Sequence, residues 1–264
     1  MLRRFFKGSD KTARRGPPSL RAYGIGDVHG RLDLLRDLMD RIDRDNADRP
    51  PAKTFIILVG DLVDRGPDSK GVIDYLLHRS ERPEAMVILK GNHEEMFLRV
   101  LDGEEEVVDD WLSYGGYECA ESYGISQGST LNSTPAQIIE RLKAAVPPAH
   151  RRFLAGMADS FRFGDYLFVH AGIRPGIPME DQAGKDLRWI REGFLDDSTD
   201  HGLVVIHGHT IVDGPEQHPN RIAIDTGAYR GGALTAIGLE GPRRWFLEAR
   251  ASEETLGARS ILAS

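Results

Sequence analysis

The chain has 264 residues, of which 40% are hydrophobic and 28% charged, with a formal net charge of −7 and a mean hydropathy of −0.37. This composition is typical of a globular protein and argues against binding to nucleic acid through a basic surface, which depends on clustered lysine and arginine. No stretch approaches the roughly 18 apolar residues of a membrane span. The single cysteine excludes an internal disulfide and predicts a reducing compartment, the cytoplasm.

The two ends of the chain differ from the rest. Residues 1–20 carry six lysine or arginine residues against one acid, Asp10. We predict a flexible basic tail at 1–20, one folded domain at 21–248 and a C-terminal tail at 249–264, since a large α/β domain reaches this length. The basic tail is interpreted as a solvated terminus, with weak attraction to an anionic surface as the alternative.

Five apolar stretches with strand character are each followed by polar residues. The stretches are 22–25, 55–59, 86–89, 166–169 and 203–206. The polar residues are Asp27 and His29, Asp61, Asn92 and His93, His170, and His209. Open α/β sheets bind ligands beyond the carboxyl ends of their strands, so we expect these side chains to converge. Oxygen and nitrogen ligands without thiolate predict two divalent metal ions, manganese first, with iron or zinc as alternatives.

Each cluster alone has a simpler interpretation. An Asp and a His on a turn commonly cap a helix, and a lone histidine is commonly buried and hydrogen-bonded. Their joint occurrence after five strand-like stretches favours the metal site. Gly24, Gly26 and Gly30 do not form a dinucleotide fingerprint, because the third glycine comes one residue late. Asp27 also lies where a pyrophosphate would approach.

The polar clusters resemble the signature of the calcineurin-like metallophosphoesterases, and more narrowly that of the bacterial phosphoprotein phosphatases. The matching segments are Gly26-Asp27-Val28-His29-Gly30, Gly60-Asp61-X-X-Asp64-Arg65-Gly66, Gly91-Asn92-His93-Glu94, His170-Ala171-Gly172 and Gly208-His209. The similarity extends from about residue 22 to residue 248. It implies an α/β fold, a four-layer α/β/β/α sandwich of two mixed sheets, with a metallophosphoesterase catalytic domain over 21–248.

The resemblance also implies residue roles. The metal ligands would be Asp27, His29, Asp61, Asn92, His170 and His209. Asp27 and His29 would hold the first ion, Asp61 would bridge, and the other three would hold the second. His93 would be the general acid, oriented by Asp64. Phosphate would be bound by Arg65, Asn92 and Arg191. His207 has no firm counterpart and is interpreted either as a strand-end residue or as one that supports the ligands, with metal ligation as the less favoured alternative.

The implied reaction is hydrolysis of a phosphomonoester without a covalent intermediate. Hydroxide generated at the two metals would attack phosphorus in line with the leaving group. His93 would protonate the leaving oxygen, a step worth about 10²–10⁴ in rate. Cys119 lacks the basic loop of a cysteine-dependent phosphatase and is predicted to be a buried small hydrophobe.

Substrate choice is expected to be encoded between the third and fourth strands. Helical spacing there predicts helices after His93, at 107–123 and at 135–146. The aromatic residues of this insert either pack as core or line the mouth of the site; they are Trp111, Tyr114, Tyr117 and Tyr123. The glycine-rich loop around Tyr229 either borders the site or forms a turn before a strand at 233–239.

Three functions remain in competition. We expect a serine/threonine phosphoprotein phosphatase, with phosphotyrosine as a further substrate. The alternatives are a symmetrical bis(5'-nucleosyl)-tetraphosphatase, acting on diadenosine tetraphosphate, and a non-catalytic metal-dependent binding module, against which the presence of His93 argues. The expected partner is a phosphorylated protein or a small phosphoester, with no nucleic acid and no membrane span. The sequence predicts no oligomeric state.

Overall fold

A computed structural model describes residues 14–82 and 84–251. The strands within them are β1 (Leu20–Ile25), β2 (Lys53–Leu58), β3 (Ala85–Ile88), β4 (Ser160–Phe163), β5 (Tyr166–Val169), β6 (Val204–His207), β7 (Glu216–Gln217), β8 (Arg221–Ala223), β9 (Leu234–Glu240) and β10 (Arg243–Ala249). The helices are α1 (Leu32–Ala47), α2 (Ser69–Arg79), α3 (Asn92–Asp102), α4 (Val108–Trp111), α5 (Tyr117–Ser122), α6 (Gln127–Leu131), α7 (Pro135–Ala145), α8 (Pro148–Ala155) and α9 (Gly184–Trp189).

The strands form two five-stranded mixed sheets, ordered β10-β9-β1-β2-β3 and β4-β5-β6-β8-β7. In the first sheet β1, β2 and β3 are parallel. β9 lies antiparallel beside β1, and β10 lies antiparallel beside β9. In the second sheet β5, β6 and β8 are parallel. The carboxyl ends of the parallel strands therefore carry the loops that contain the predicted ligands.

The side chains of β1 alternate between two cores, as the period of a strand requires. Ala22 packs into the core between the sheets, with Phe168 and Ile237. Tyr23 and Ile25 point the other way, into the core that α1, α2 and α3 cover. A third cluster covers the outer face of the second sheet and includes residues of α9. The layers are thus helices, sheet, sheet and helix, which confirms the predicted four-layer α/β/β/α sandwich.

The insert between β3 and β4 differs from its prediction. The prediction of a single helix at 107–123 is wrong, because the segment divides into a 3₁₀ turn (Glu105–Val107), α4, a π-helical turn (Leu112–Gly116) and α5. Gly115, with φ of 106°, interrupts the helical path. Trp111 and Tyr123 are buried in the core, whereas the Tyr114 side chain is 54% exposed.

The predicted tails are only partly described. Residues 1–13 and 252–264 lie outside the described residues. Residues 14–20, predicted as part of the basic tail, are hydrogen-bonded to the domain: Arg14 pairs with Asp200, and the Gly16 amide donates to the Gly241 carbonyl at 2.8 Å. Among the described residues, no helix is both long and apolar enough to cross a bilayer.

Candidate metal centre and acid site

The loops after β1, β2, β3, β5 and β6 bring the predicted ligands into one buried cluster. Each of these side chains is at most 8% exposed: Asp27, His29, Asp61, Asn92, His170 and His209. Two groups of three have ligand atoms within 4.8 Å of one another. The first is His29, Asp61 and His93, and the second is Asp61, His170 and His209. Asp27 lies outside both groups, and His93, predicted as the acid, lies in the first.

Asp61 is shared because its two carboxylate oxygens face different groups. Its Oδ2 lies 3.5 Å from His29 Nε2, and its Oδ1 lies 3.4 Å from His170 Nε2. Burial acts to raise the pKa of Asp61, but the surrounding imidazoles outweigh it and hold the pKa well below its usual range. The carboxylate therefore stays ionised and offers one oxygen to each side.

The backbone sets the orientation of two histidines. His29 Nδ1 donates to the Val63 carbonyl at 2.9 Å, and His170 Nδ1 donates to the Val59 carbonyl at 3.0 Å. Burial lowers the pKa of both rings although Asp61 acts to raise it, and the favoured neutral form of each ring carries a lone pair on Nε2. The lone pair of His170 faces the amide oxygen of Asn92 at 2.9 Å. Two lone pairs that face each other repel, and a cation bound by both atoms would remove this repulsion.

Two further ligand atoms are buried without a partner among the described residues. They are His209 Nε2 and Asp27 Oδ1. The other oxygen of Asp27 accepts a hydrogen bond from the His209 amide at 2.9 Å. Burial and the neighbouring carboxylates of Asp225 and Asp61 raise the pKa of Asp27, so the crowded negative charge lacks compensation. The donor set therefore fits divalent cations, which offset both the desolvation and the repulsion.

His93 and Asp64 form a buried dyad beside the metal ligands. Asp64 Oδ2 lies 2.7 Å from His93 Nδ1, and its Oδ1 accepts a hydrogen bond from Trp111 Nε1 at 3.1 Å. Burial opposes protonation of His93, but the charges of Asp61 and Asp64 outweigh it and raise the pKa of the ring. The dyad thus favours an imidazolium with Nε2 turned towards the metal ligands.

Two arginines border the cluster. Arg65 Nη1 lies 3.2 Å from His29 Nε2, and its guanidinium stacks on the ring of Tyr229 at 4.8 Å. The Tyr229 ring also contacts the edge of His29, with ring centroids 5.1 Å apart, so the glycine-rich loop borders the site. Arg191 is exposed and donates from Nη2 to the His209 carbonyl at 3.3 Å. Both predicted phosphate-binding arginines therefore lie at the rim.

A family model described as calcineurin-like phosphoesterase matches residues 20–233. The chain is a calcineurin-like phosphoesterase. This confirms the resemblance, and members of the family depend on a dinuclear metal centre, which the two ligand groups sharing Asp61 suit.

Relatives of this phosphoesterase carry different names. An asymmetrical bis(5'-nucleosyl)-tetraphosphatase of Halalkalibacterium halodurans is 28% identical, over 81% of this chain and 87% of its own. Serine/threonine-protein phosphatase 1 of Salmonella typhimurium is also 28% identical, over 80% of this chain and 88% of its own. A crystal structure of a proposed diadenosine tetraphosphatase has the same fold, with a TM-score of 0.62 at 20% identity, covering 91% of this chain and all of that chain.

Glu94 organises the phosphoesterase site through backbone amides, and its role was not predicted. Its buried carboxylate accepts hydrogen bonds from four backbone amides: those of Asp61, Leu62, Val63 and Gly91, at 2.7–3.2 Å. Gly91 permits this approach, because a Cβ there would lie 2.5 Å from the Asp61 amide nitrogen. The available signal was the position of Glu94 in the first turn of α3, where acidic side chains bind free amides.

Backbone strain is concentrated in the same loops. Six non-glycine residues of the described chain have positive φ: Ser19, His29, Asp61, Asp64, Arg65 and His209. Five of these six belong to the site. Arg65 and His209 also lie at the centre of tight turns closed by hydrogen bonds of 2.7 and 2.6 Å between the residues on either side. Such conformations persist where the surrounding fold enforces them, which is typical of functional sites.

His207 and Cys119 match their predictions. His207 is the last residue of β6 and belongs to neither ligand group. Its Nδ1 lies 3.1 Å from the Gly208 carbonyl, and its ring packs edge-on against Phe194. Cys119 is fully buried, and burial raises the pKa of its thiol well above the usual range, which disfavours a nucleophilic thiolate.

Proposed function

We propose that this phosphoesterase hydrolyses phosphomonoesters on proteins, with phosphoserine and phosphothreonine as the expected substrates and phosphotyrosine as a further one. The observation that carries the proposal is the hydrogen bond of 2.7 Å between Asp64 and His93, placed beside two ligand groups that share Asp61. This arrangement supplies a proton donor next to the place where phosphate charge is neutralised. Manganese and a cytoplasmic location belong to the same proposal.

The residues that would hold the two divalent ions are Asp27, His29, Asp61, Asn92, His170 and His209. When bound, these ions lower the pKa of a water molecule and offset the charge of the phosphate. Arg65 and Arg191 bind the nonbridging oxygens, since a planar guanidinium donates parallel hydrogen bonds to phosphate.

His93 would then complete the reaction at the leaving group. Its Nδ1–H donates to Asp64, which leaves Nε2 as the atom that gives a proton to the departing oxygen. Trp111 holds the other oxygen of Asp64 and prevents the carboxylate from rotating away. The raised pKa of His93 favours the protonated form of this acid.

Hydrolysis of a dinucleoside tetraphosphate is the second candidate, and the Halalkalibacterium halodurans relative favours it. Purified protein should be offered a phosphoserine peptide, a phosphothreonine peptide and diadenosine tetraphosphate, each with manganese. Faster release of phosphate from the peptides supports our proposal. Faster breakdown of the dinucleotide overturns it, and the products then distinguish symmetrical cleavage, which gives ADP, from asymmetrical cleavage, which gives AMP and ATP.

The binding-module alternative has its own test. Manganese-stimulated hydrolysis of an aryl phosphate, reduced in a folded His93→Ala variant, supports catalysis. Manganese binding without turnover of any of these phosphoesters would favour a binding protein instead.

A further inference from the structure

A shallow cavity of about 370 Å³ opens directly beside Arg65. It is lined by Arg65, Ser113, Tyr114, Gly115, Glu118 and Tyr229. Three of these side chains offer flat faces: two phenol rings and one guanidinium. The cavity lies outside both ligand groups, and the reaction described above uses only Arg65 among its lining residues.

The Tyr229 wall is held rigidly. The Tyr229 ring lies 4.8 Å from the Arg65 guanidinium carbon and 5.1 Å from the His29 ring centroid. The preceding carbonyl, that of Ala228, accepts a hydrogen bond of 2.6 Å from Arg31. Arg31 is itself buried, with 1% of its surface exposed, and Asp33 binds its other nitrogens. A buried cation therefore fixes the loop that presents Tyr229.

The Tyr114 wall is attached to Arg65 through the backbone. Arg65 Nε donates to the Tyr114 carbonyl at 3.3 Å, and the Arg65 amide donates to the Gly115 carbonyl at 3.0 Å. The Tyr114 ring itself is 54% exposed, although the turn that carries it is hydrogen-bonded to Arg65. The π-helical turn that carries it, Leu112–Gly116, is a local distortion frequently found at functional sites.

We propose that this cavity is a subsite for a planar aromatic group attached to the phosphate. The inference rests on the proposed phosphoester hydrolysis. A phosphomonoester carries a single organic group on its phosphate. Because Arg65 is proposed to bind that phosphate, the cavity beside Arg65 is positioned to receive the organic group. Flat rings stack on Tyr114, Tyr229 and the guanidinium, whereas a short alkyl group leaves these faces uncovered. The exposed Glu118 in the lining offers a hydrogen-bond acceptor to such a group, and its charge disfavours a second phosphate.

Phosphotyrosine and a nucleoside monophosphate both combine a phosphate with a planar aromatic ring. Among phosphoproteins, the subsite would therefore admit phosphotyrosine as a further substrate beside phosphoserine and phosphothreonine. A matched pair of peptides that differ only in phosphotyrosine or phosphoserine tests the first source. Adenosine monophosphate compared with glycerol phosphate tests the second.

Tyr114→Ala is the decisive variant, because Arg65 binds the backbone of this turn and not the Tyr114 ring. We expect the ratio of kcat/KM for the aromatic over the alkyl substrate to fall about tenfold, chiefly through KM, and Tyr114→Phe to retain it. Leu131→Ala is the control, since Leu131 belongs to the same insert and is 64% exposed. It should leave the ratio unchanged.

Binding measured without turnover separates the two proposals. Calorimetry should show that benzylphosphonate binds the manganese-loaded wild type more tightly than propylphosphonate, and that Tyr114→Ala abolishes this preference. Equal affinities in the wild type, or an equal loss for both ligands in the variant, overturn the subsite while hydrolysis stands. A retained preference in a protein that hydrolyses no phosphoester overturns the proposed function while the subsite stands.

Discussion

At the scale of single residues, the two ring nitrogens of His93 have different surroundings. Nδ1 is held by Asp64 at 2.7 Å, whereas Nε2 lies 3.9 Å from Asp61 Oδ2, within the first ligand group. Whether His93 acts as a proton donor or as a metal ligand, its Nε2 would face the first ligand group. The two roles differ in how they depend on the leaving group, because only an acid becomes dispensable when the leaving oxygen is already a weak base.

We therefore expect His93→Ala to reduce kcat for an alkyl phosphate by about 10²–10⁴-fold and for p-nitrophenyl phosphate much less. Steady-state kinetics at saturating manganese provides the comparison. Elemental analysis should find the same manganese content as in the wild type. Equal losses on both substrates, together with a missing manganese ion, would instead identify His93 as a ligand.

Glu94 permits a second test at this scale. Glu94→Gln replaces one acceptor oxygen by a donor that faces backbone amides, so we expect a loss of about 3 kcal/mol in the free energy of unfolding. Urea denaturation of the metal-free protein measures it. Glu106→Gln, at an exposed position, should change this free energy by less than about 0.5 kcal/mol. Wild-type stability in Glu94→Gln would refute the role of the carboxylate.

At the scale of elements, the turn at Leu112–Gly116 exists because Gly115 adopts φ of 106° against Arg65. A Cβ on Gly115 would lie 2.6 Å from the Arg65 amide nitrogen. Gly124 has a comparable φ of 86° but no atom within 4 Å of such a Cβ. The two glycines thus separate backbone strain from contact with Arg65, the proposed phosphate-binding residue.

Gly115→Ala should raise KM for phosphoesters about tenfold or more and destabilise the protein by about 2–4 kcal/mol, since strain and overlap add. Gly124→Ala should cost about 1 kcal/mol through strain alone and leave KM unchanged. Kinetics and thermal unfolding of both variants provide the check. A rise in KM for Gly124→Ala as large as that for Gly115→Ala would contradict the local explanation.

A polar contact also joins helix α1 to two strands of the first sheet. Asp45 on α1 accepts hydrogen bonds from Tyr23 on β1, at 2.6 Å, and from Trp245 on β10, at 3.0 Å, and it pairs with Arg49. Burial acts to raise the pKa of Asp45, but these donors outweigh it and lower the pKa. The resulting stabilisation is complete above the unfolded pKa of about 3.9 and is lost as the pH falls through the lower folded value.

Asp45→Asn should therefore lower the free energy of unfolding by about 2 kcal/mol at pH 7, and the difference from the wild type should shrink below about pH 4. Urea denaturation across pH 3–7 measures this. Asp48→Asn, on the exposed side of the same helix end, should show no such trend. A difference that grows on acidification would mean that the folded pKa of Asp45 is raised.

Sequence predicted the elements whose pattern is local. The strand at 166–169 has the predicted bounds, and the other ligand-bearing strands agree within two residues, because buried parallel strands are continuous apolar runs. β10 was not predicted, because three of its seven residues are charged and most of its residues are only half-buried. The helix break at Gly115 depends on a contact with Arg65, fifty residues earlier, which periodicity does not contain.

The predicted site residues show the same difference between what a local pattern predicts and what tertiary contacts decide. Their convergence was expected from strand ends alone, and the structure brings them together. The arrangement of Asp27 outside both ligand groups, and the contacts of Glu94 and Trp111, depend on turns at positive φ that local sequence preferences disfavour. Residue types thus predict which chemistry is assembled, while tertiary contacts decide which atoms meet.

At the scale of the whole molecule, the two ligand groups draw on loops of both sheets. His29 and Asp61 follow strands of the first sheet, whereas His170 and His209 follow strands of the second. A cation bound in the second group, which combines Asp61 with His170 and His209, therefore connects the two halves of the sandwich. Because the unfolded chain lacks this arrangement, metal binding should stabilise the fold.

Removal of metal with a chelator should lower Tm by about 5–10 °C per occupied site, and manganese at about 100 times its Kd should restore it. Differential scanning calorimetry measures the shift. His209→Ala, which removes an unpartnered ligand atom from the second group, should lose about half of it. An identical Tm with and without manganese would rule out a metal site between the sheets.

The placement of β1 between β2 and β9 has a consequence for synthesis. The side chains of Arg21 and Glu240, on these neighbouring strands, are in contact although 219 positions separate them. A nascent chain leaving the ribosome therefore exposes one flank of β1 until β9 has emerged. His209 likewise emerges 182 positions after Asp27, so a metal site that needs both waits for it, and a chain stalled before β9 carries an incomplete sheet open to aggregation.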